Sequence, residues 1–148
     1  MAASSNRDVI GRFFPALNAR RFDEISELLN PDVVQEWPQS GERISGIKNV
    51  RGVMENYPKP PKIDPHRVSG AEDKWVVTPS WTPLRITGSG DTYTIETRIA
   101  YPNGEVWSGV SIVHFKNGKV SKMTEYFAAP FPAPEWRSQW VEKMQSQP

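Results

Sequence analysis

The sequence predicts an α+β domain in which helices come first and a long antiparallel meander comes last. Apolar residues recur at helical spacing over the first third of the chain, and apolar and polar residues alternate over the last third. Asn-Gly and Pro-Asn-Gly turns separate the strands of that last third. The chain has 148 residues, close to the size of one domain, so we expect a single domain over residues 1–148.

Helices and two short strands are predicted in the first third of the chain. Ser5 and Asp8 fit a capping box that opens the first helix, and Pro15 interrupts the apolar pattern of that helix. Ser45 is expected to cap a later helix, whose apolar residues recur from Ile47 onward. The other elements predicted in this part are a helix at 22–29, ended by residues 30–32, and strands at 33–37 and 42–45.

The remainder of the chain is predicted to be rich in strands. Pro79 and Pro83 make the stretch that follows residue 78 irregular or an edge. A C-terminal helix is expected at 135–144, with Trp136 and Trp140 on one side, either as a lid on the core or as an interface anchor. The strands expected before this helix are at 67–69, 74–78, 92–101, 106–115 and 119–127.

Composition excludes several classes of function. The 18 Lys and Arg nearly balance the 17 Asp and Glu, so we expect no nucleic-acid partner. The chain has no cysteine and two histidines, so we expect no metal site, and no nucleotide motif points to a cofactor. No apolar run is long enough to span a membrane and no secretory signal is visible, so we expect a cytoplasmic protein without a membrane partner.

Glu125 is the first candidate for chemistry. On the strand at 119–127, Met123, Glu125 and Phe127 share one face, which is otherwise apolar. A carboxylate on such a face is costly unless it is paired or partly hydrated, and this is the setting of many general acids and bases. The alternative is that Glu125 reaches water near the strand end or pairs with a buried arginine.

Glu96 and Arg98 share one face of the strand at 92–101, and the opposite face is the more apolar one, with Ile95 and Ile99. If the apolar face belongs to the core, Glu96 and Arg98 form an exposed pair of little energetic value. If the apolar face packs on a partner subunit, the pair forms a polar floor inside a pocket. Burial preferences alone favour the exposed pair.

The order of these elements resembles the nuclear transport factor 2-like superfamily and, within it, the SnoaL-like branch. The resemblance is carried by the hairpin and last strand at 115–127, by the stretch at 30–38, and by Gly46 ahead of the third helix. It implies a cone-shaped, strongly curved antiparallel sheet, wrapped by three N-terminal helices, with a deep pocket and often a dimer. It also shifts the expectation for Glu96 towards the pocket.

The resemblance implies roles for the acidic residues. SnoaL-like polyketide cyclases use an acid on the last strand as a base, and Glu125 stands at that position. Limonene-epoxide hydrolases use two acids bridged by an arginine; Glu125 and Glu96 match the acids, but the arginine position is Thr94. Arg98 lies two residues after Glu96 and is expected to orient it or to stabilise an anion. Glu36 stands near the position of the hydrolases' asparagine, which argues against epoxide hydrolysis.

The expected function is acid/base catalysis on a mostly apolar or aromatic small molecule, by cyclisation, isomerisation, dehydration or hydrolysis. One alternative is a module that carries a hydrophobic ligand or docks a protein. Another is a dimeric domain whose own Trp and Phe side chains fill the pocket. The catalytic candidates are Glu125, Glu96 and Arg98. The residues expected to contact substrate are Glu36 near the pocket mouth, Trp107, Met123, Phe127, Phe14, Leu17 and Met54.

A homodimer is expected through the outer face of the meander. Val110, Ile112 and Tyr126 alternate onto that face. A contiguous apolar surface of this kind is unfavourable in water unless a partner covers it.

Overall fold

The computed structural model describes residues 5–56, 80–101 and 103–145. The strands predicted at 67–69 and 74–78 lie outside the described residues. Within the described part the chain forms three α-helices, six strands and one 3-10 helix. In chain order these are α1 (Asn6–Asn18), α2 (Phe22–Leu28), β1 (Leu29–Trp37), β2 (Glu42–Ser45), α3 (Ile47–Glu55), β3 (Ser80–Ser89), β4 (Thr92–Ala100), β5 (Val106–Lys116), β6 (Lys119–Ala128) and the 3-10 helix Glu135–Trp140.

The six strands form one curved, unclosed sheet in the order β2-β1-β6-β5-β4-β3. The predicted α+β class is therefore confirmed. The sheet is mixed rather than wholly antiparallel, because β1 pairs parallel with β6 whereas the other neighbours are antiparallel. A parallel pair needs a long connection, and the chain supplies one by passing through β2, α3 and the β3–β5 strands before β6 returns beside β1.

Helix α1 begins as its sequence predicts. The Asp8 backbone N–H donates to the Ser5 hydroxyl (3.1 Å) and the Ser5 N–H donates to the Asp8 carboxylate (3.0 Å), which completes the capping box. Pro15 lies inside the helix without ending it. The helix ends in a Schellman motif, since the Arg21 N–H donates to the Ala16 carbonyl (2.8 Å) and the Arg20 N–H to the Leu17 carbonyl (3.1 Å).

The expected cap of α3 is wrong. Ser45 is the last residue of β2, and Gly46 occupies the cap position with no side-chain hydrogen bond. Gly46 has a φ of 85° and its N–H donates to the Val33 carbonyl (2.8 Å), so the turn itself positions the helix. Helix α2 ends at Leu28, one residue before its predicted end, but β1 starts at Leu29 and not at residue 33 as predicted. A register shift against β6 between Leu29 and Val34 accommodates Pro31.

Strand β3 lies at the edge of the sheet, as Pro79 and Pro83 suggest. Its register against β4 shifts between Pro83 and Arg85, where a proline cannot donate a ladder hydrogen bond. The strand continues to Ser89, and residues 90–91 form the turn into β4.

The core lies between the helices and one face of the sheet, which we call the inner face. Alternation along β4, β5 and β6 gives buried residues on the inner face and more exposed ones on the other, the outer face. The largest fully buried side chains are Ile25, Leu29, Ile99, Val33 and Val50.

The C-terminal element differs from the prediction. Residues 135–144 are expected to form an α-helix, but only the 3-10 helix Glu135–Trp140 forms. Pro134 precedes it and supplies no side-chain cap. Trp136 and Trp140 are 73% and 72% exposed, so the expectation that they form a lid on the core is wrong. None of the helices in the described residues is long and apolar enough to cross a membrane.

Candidate active site

A cavity of about 1070 Å³ opens between the inner face of the sheet and helices α1, α2 and α3. Its walls are mainly aromatic and aliphatic. Trp37 and Phe127 meet edge to face with ring centres 6.4 Å apart, and Tyr101 and Trp107 pack with centres 5.1 Å apart. The described lining residues are Phe13, Phe14, Leu17, Arg20, Phe22, Gln35, Trp37, Gln39, Ser40, Arg43, Ile44, Ser45, Asn49, Gly52, Val53, Met54, Asn56, Trp81, Tyr101, Trp107, Glu125 and Phe127.

Two side-chain amides fix the backbone behind aromatic wall residues. The Gln39 amide donates to the Phe127 carbonyl (2.8 Å) and accepts from the Phe127 N–H (2.5 Å). The Asn18 amide makes the same pair of bonds with the backbone of Trp81, both at 2.8 Å. Each amide thus makes the two backbone hydrogen bonds that a neighbouring strand would otherwise make. These bonds hold the aromatic side chain of Phe127 or Trp81 at the cavity wall.

Glu125 projects from the middle of β6 into this cavity. Its carboxylate accepts three hydrogen bonds from neutral groups. Gln35 Nε2 and Trp37 Nε1 donate to Oε1, the latter at 3.2 Å, and Ser111 Oγ donates to Oε2 at 3.1 Å. The strand register explains why these side chains contact Glu125. Ser111 on β5 is the register partner of Glu125, and Gln35 on β1 is the register partner of Met123, the inner-face residue two positions before Glu125 on β6.

The arrangement leaves Glu125 able to accept a proton. Within residues 5–56, 80–101 and 103–145, no Lys, Arg or His forms an ion pair with it, so the arginine-paired alternative is not found there. A carboxylate oxygen has two lone pairs. Oε1 uses both on Gln35 and Trp37, whereas Oε2 uses one on Ser111 and keeps one. Oε2 is therefore the atom that can act as a base.

The model of the SnoaL-like domain matches residues 10–123 of the chain. The chain belongs to the SnoaL-like family. No curated protein compared with it matches significantly.

Solved structures support the same assignment of this SnoaL-like domain. A nuclear transport factor 2-like protein of unknown function from Burkholderia xenovorans LB400 is 33% identical, with a TM-score of 0.73 and 95% of each chain covered. A proposed ketosteroid isomerase from Kribbella flavida DSM 17836 is 23% identical, with a TM-score of 0.77, and the match covers 98% of this chain and 93% of the other. At 23% identity, the similarity to the Kribbella flavida protein is a similarity of fold.

Most residues predicted at the site of this SnoaL-like domain line the cavity; their roles remain predictions. Met123 lies deeper, 4% exposed in the core, and borders a small void of about 20 Å³ that Glu125 also borders. Met123 therefore packs in the core next to Glu125 and does not line the main cavity. The predicted residues that line the main cavity are Glu125, Trp107, Phe127, Phe14, Leu17 and Met54.

Glu96 and Arg98 do not meet Glu125, and their expected place in the pocket needs correction. Glu96 pairs in register with Val110 on the outer face, whereas the inner-face neighbour of Ser111 is Ile95. The Glu96 side chain is 48% exposed and lies 3.3 Å from Arg85 Nε. The inner face of β4 is mainly apolar and belongs to the core, so Glu96 and Arg98 lie on the outer face as burial preferences predict. Among the described residues, however, Glu96 forms its ion pair with Arg85 and not with Arg98.

Glu36 also points away from the cavity. It is partnered in register by Thr124 on the outer face, and its carboxylate lies 3.2 Å from both Lys122 Nζ and Arg43 Nε. The hydrogen bond from Lys122, with a second from Arg43, holds the pKa of the Glu36 carboxyl below its ordinary value. Its expected contact with substrate is therefore not found.

The sequence patterns did not identify Gln35, Ser111 or Trp37 as residues of the site. Val33 is fully buried, and Gln35 and Trp37 follow it at steps of two, so one buried anchor on β1 would have assigned both to the inner face. Ser111 shares its face with Val113 and Phe115. Among the described residues no three His, Asp or Glu side chains come together as metal ligands.

Proposed function

We propose that this SnoaL-like protein is a cofactor-independent enzyme in which Glu125 acts as the general base on a mostly apolar small molecule. One observation carries the proposal. A carboxylate with a free lone pair at Oε2 lines a large aromatic cavity and is held there by three neutral donors. Among the described acidic residues, Glu125 alone lines that cavity.

The chemistry suited to this site is proton abstraction. Oε2 takes a proton from a carbon next to a carbonyl, and the C–H electron pair is delocalised onto the carbonyl oxygen. The carbanion then closes a ring or is protonated at another carbon, which gives a cyclisation or an isomerisation. An apolar wall favours such a step because it excludes water that would otherwise solvate the base.

The proposal is tested with a reaction that needs only a positioned base. In 5-nitrobenzisoxazole, removal of the ring C–H proton converts C=N to a nitrile and breaks the N–O bond, releasing a coloured phenolate. We expect the wild-type protein to catalyse this reaction and Glu125→Gln to lower kcat/KM by about 100-fold, the usual contribution of a general base. Thermal unfolding of the variant shows that it is folded.

Glu96→Gln is the matched control. It makes the same chemical change on a strand two positions away in the sheet but on the outer face, where Glu96 contacts Arg85. We expect its rate to equal that of the wild type. Equal rates for Glu125→Gln and the wild type, or equal losses in both variants, would overturn the proposal.

A second candidate function is the carriage of a hydrophobic ligand. It is favoured by the absence of a second carboxylate or a histidine from the described lining, because acid/base enzymes often use two such groups. Here Glu125 would accept a hydrogen bond from the ligand without removing a proton. Binding of N-phenyl-1-naphthylamine, a fluorescent apolar probe, without turnover of 5-nitrobenzisoxazole would support this candidate.

The homodimer is part of the same proposal. Val110 and Tyr126 are register partners on β5 and β6 and are 37% and 42% exposed on the outer face. Ile112 lies two residues after Val110 on the same face of β5. Covering this face would remove apolar surface from water. The cytoplasmic location expected from the sequence also stays a prediction.

A further inference from the structure

Arg20 occupies a backbone position that usually belongs to glycine. It is the residue after the cap of α1, and its φ is 57°. The two hydrogen bonds of the Schellman motif, from Arg20 to Leu17 and from Arg21 to Ala16, require this left-handed conformation. A side chain with a Cβ is disfavoured there, so a large residue at this position suggests that its side chain has a use.

The Arg20 side chain borders the cavity without a carboxylate partner. Its guanidinium carbon lies 5.1 Å from the centre of the Phe22 ring, and both residues line the cavity. Among the described residues no Asp or Glu pairs with Arg20. By contrast, the other arginine of the lining, Arg43, lies 3.2 Å from Glu36, and Arg21 lies 2.7 Å from Glu24.

The two charged groups enter the cavity from different layers. Arg20 comes from the connection between α1 and α2, and Glu125 comes from the sheet. A guanidinium that is stacked on an aromatic ring keeps its N–H donors free for an oxyanion. A ligand anion would be attracted by Arg20 and repelled by the Glu125 carboxylate, so the two groups together would fix the direction in which the ligand lies.

We propose that the ligand of this cavity is an apolar molecule that carries a carboxylate or another oxyanion, and that Arg20 binds this anion. The inference rests on the proposed function, since it names the substrate class for the same cavity. It assigns Arg20 a role in specificity and none in proton transfer.

Two probes that differ by one anionic group test the inference. 8-Anilinonaphthalene-1-sulfonate and N-phenyl-1-naphthylamine share their ring system, and only the first carries a sulfonate. We expect Arg20→Gly to weaken binding of the sulfonate probe by about tenfold, as loss of a charge-assisted hydrogen bond does, and to change binding of the neutral probe by less than about twofold. Because glycine favours the left-handed conformation, the variant should unfold at the same or a higher temperature than the wild type.

Arg85→Gln is the control for net charge. It removes one positive charge from β3, where Arg85 pairs with Glu96 on the outer face, and both probes should bind to it as to the wild type. If the wild-type protein bound neither probe, the cavity would not take apolar ligands and the proposed function would fall together with this inference. If the neutral probe bound but Arg20→Gly left the sulfonate probe unchanged, or weakened both probes equally, the inference alone would be overturned.

Discussion

The hydrogen bond from Ser111 to Glu125 is expected to contribute measurably to stability. Ser111 is 5% exposed and its hydroxyl donates to Oε2 at 3.1 Å. A hydrogen bond to a charged group contributes about 1.5–3 kcal/mol, and Ser→Ala removes one oxygen without leaving a large void. We therefore expect Ser111→Ala to lower the free energy of unfolding by about 2 kcal/mol, or the melting temperature by about 4–8 °C for a chain of this size.

A double-mutant cycle separates this hydrogen bond from packing. In a Glu125→Met background the Ser111 hydroxyl has lost its acceptor, so Ser111→Ala should cost nothing there and the coupling energy should be about 2 kcal/mol. Urea unfolding followed by the fluorescence of the six tryptophans measures all four proteins, at one protein concentration so that any dimerisation is held constant. A loss below about 0.5 kcal/mol in the wild-type background, or the same loss in both backgrounds, would refute the assignment of Ser111 as a donor to Glu125.

Three further predictions concern the fold. A Cβ at Gly109 would lie 2.4 Å from Thr97 Oγ1 and 3.1 Å from Ile99 Cδ1, so Gly109→Ala should lower the free energy of unfolding in urea by about 1–3 kcal/mol. Hydrogen bonds with the Ser5 side chain and backbone lower the pKa of the Asp8 carboxyl, so its contribution to stability is present above its ordinary pKa of 3.8 and is lost as the pH falls through the lowered value. The difference in stability between wild type and Asp8→Ala should therefore be seen at pH 7 and vanish in acid. Tyr126→Glu should convert a dimer to a monomer in analytical ultracentrifugation.

Each of these predictions has a contradicting outcome. A fully stable Gly109→Ala protein would mean that β4 and β5 are farther apart on the inner face than the structure places them. An unchanged stability difference for Asp8→Ala down to pH 2 would show that the carboxylate is not the stabilising species at the cap. A wild-type protein that sediments as a monomer at micromolar concentration would remove the dimer proposal.

The position of Glu125 could be predicted because β6 alternates strictly. The apolar residues Met123 and Phe127 place Glu125 on the inner face of β6, and this assignment does not depend on which strands lie beside β6. Alternation did not assign the faces of β1, because it does not say whether Gln35 and Trp37 or Glu36 points to the core. Val33 and Val34 are both apolar, so the sequence alone does not tell which of them is buried. The structure decides, because Val33 is fully buried and Gln35, two residues later, pairs in register with the core residue Met123.

The family resemblance predicted a place in the pocket for Glu96, but the structure places Glu96 on the outer face. Its strand carries a more apolar opposite face, and burial preferences alone placed Glu96 outside, where the register with Val110 also places it. The exposed Trp136 and Trp140 show a different limit. Their spacing fits a helix that packs on the core. The spacing does not show whether the core has an uncovered apolar surface against which such a helix could pack, and both side chains are exposed.

A crystal structure with 5-nitroindazole would test the central claim most directly. This compound is a neutral bicycle that does not react and carries an N–H on its five-membered ring. The account predicts the compound inside the cavity, with its N–H within about 2.6–3.2 Å of Glu125 Oε2 while Gln35 and Trp37 remain on Oε1. A compound bound elsewhere, or a Glu125 carboxylate turned away from the cavity when the compound binds, would contradict the assignment of Glu125 as the base.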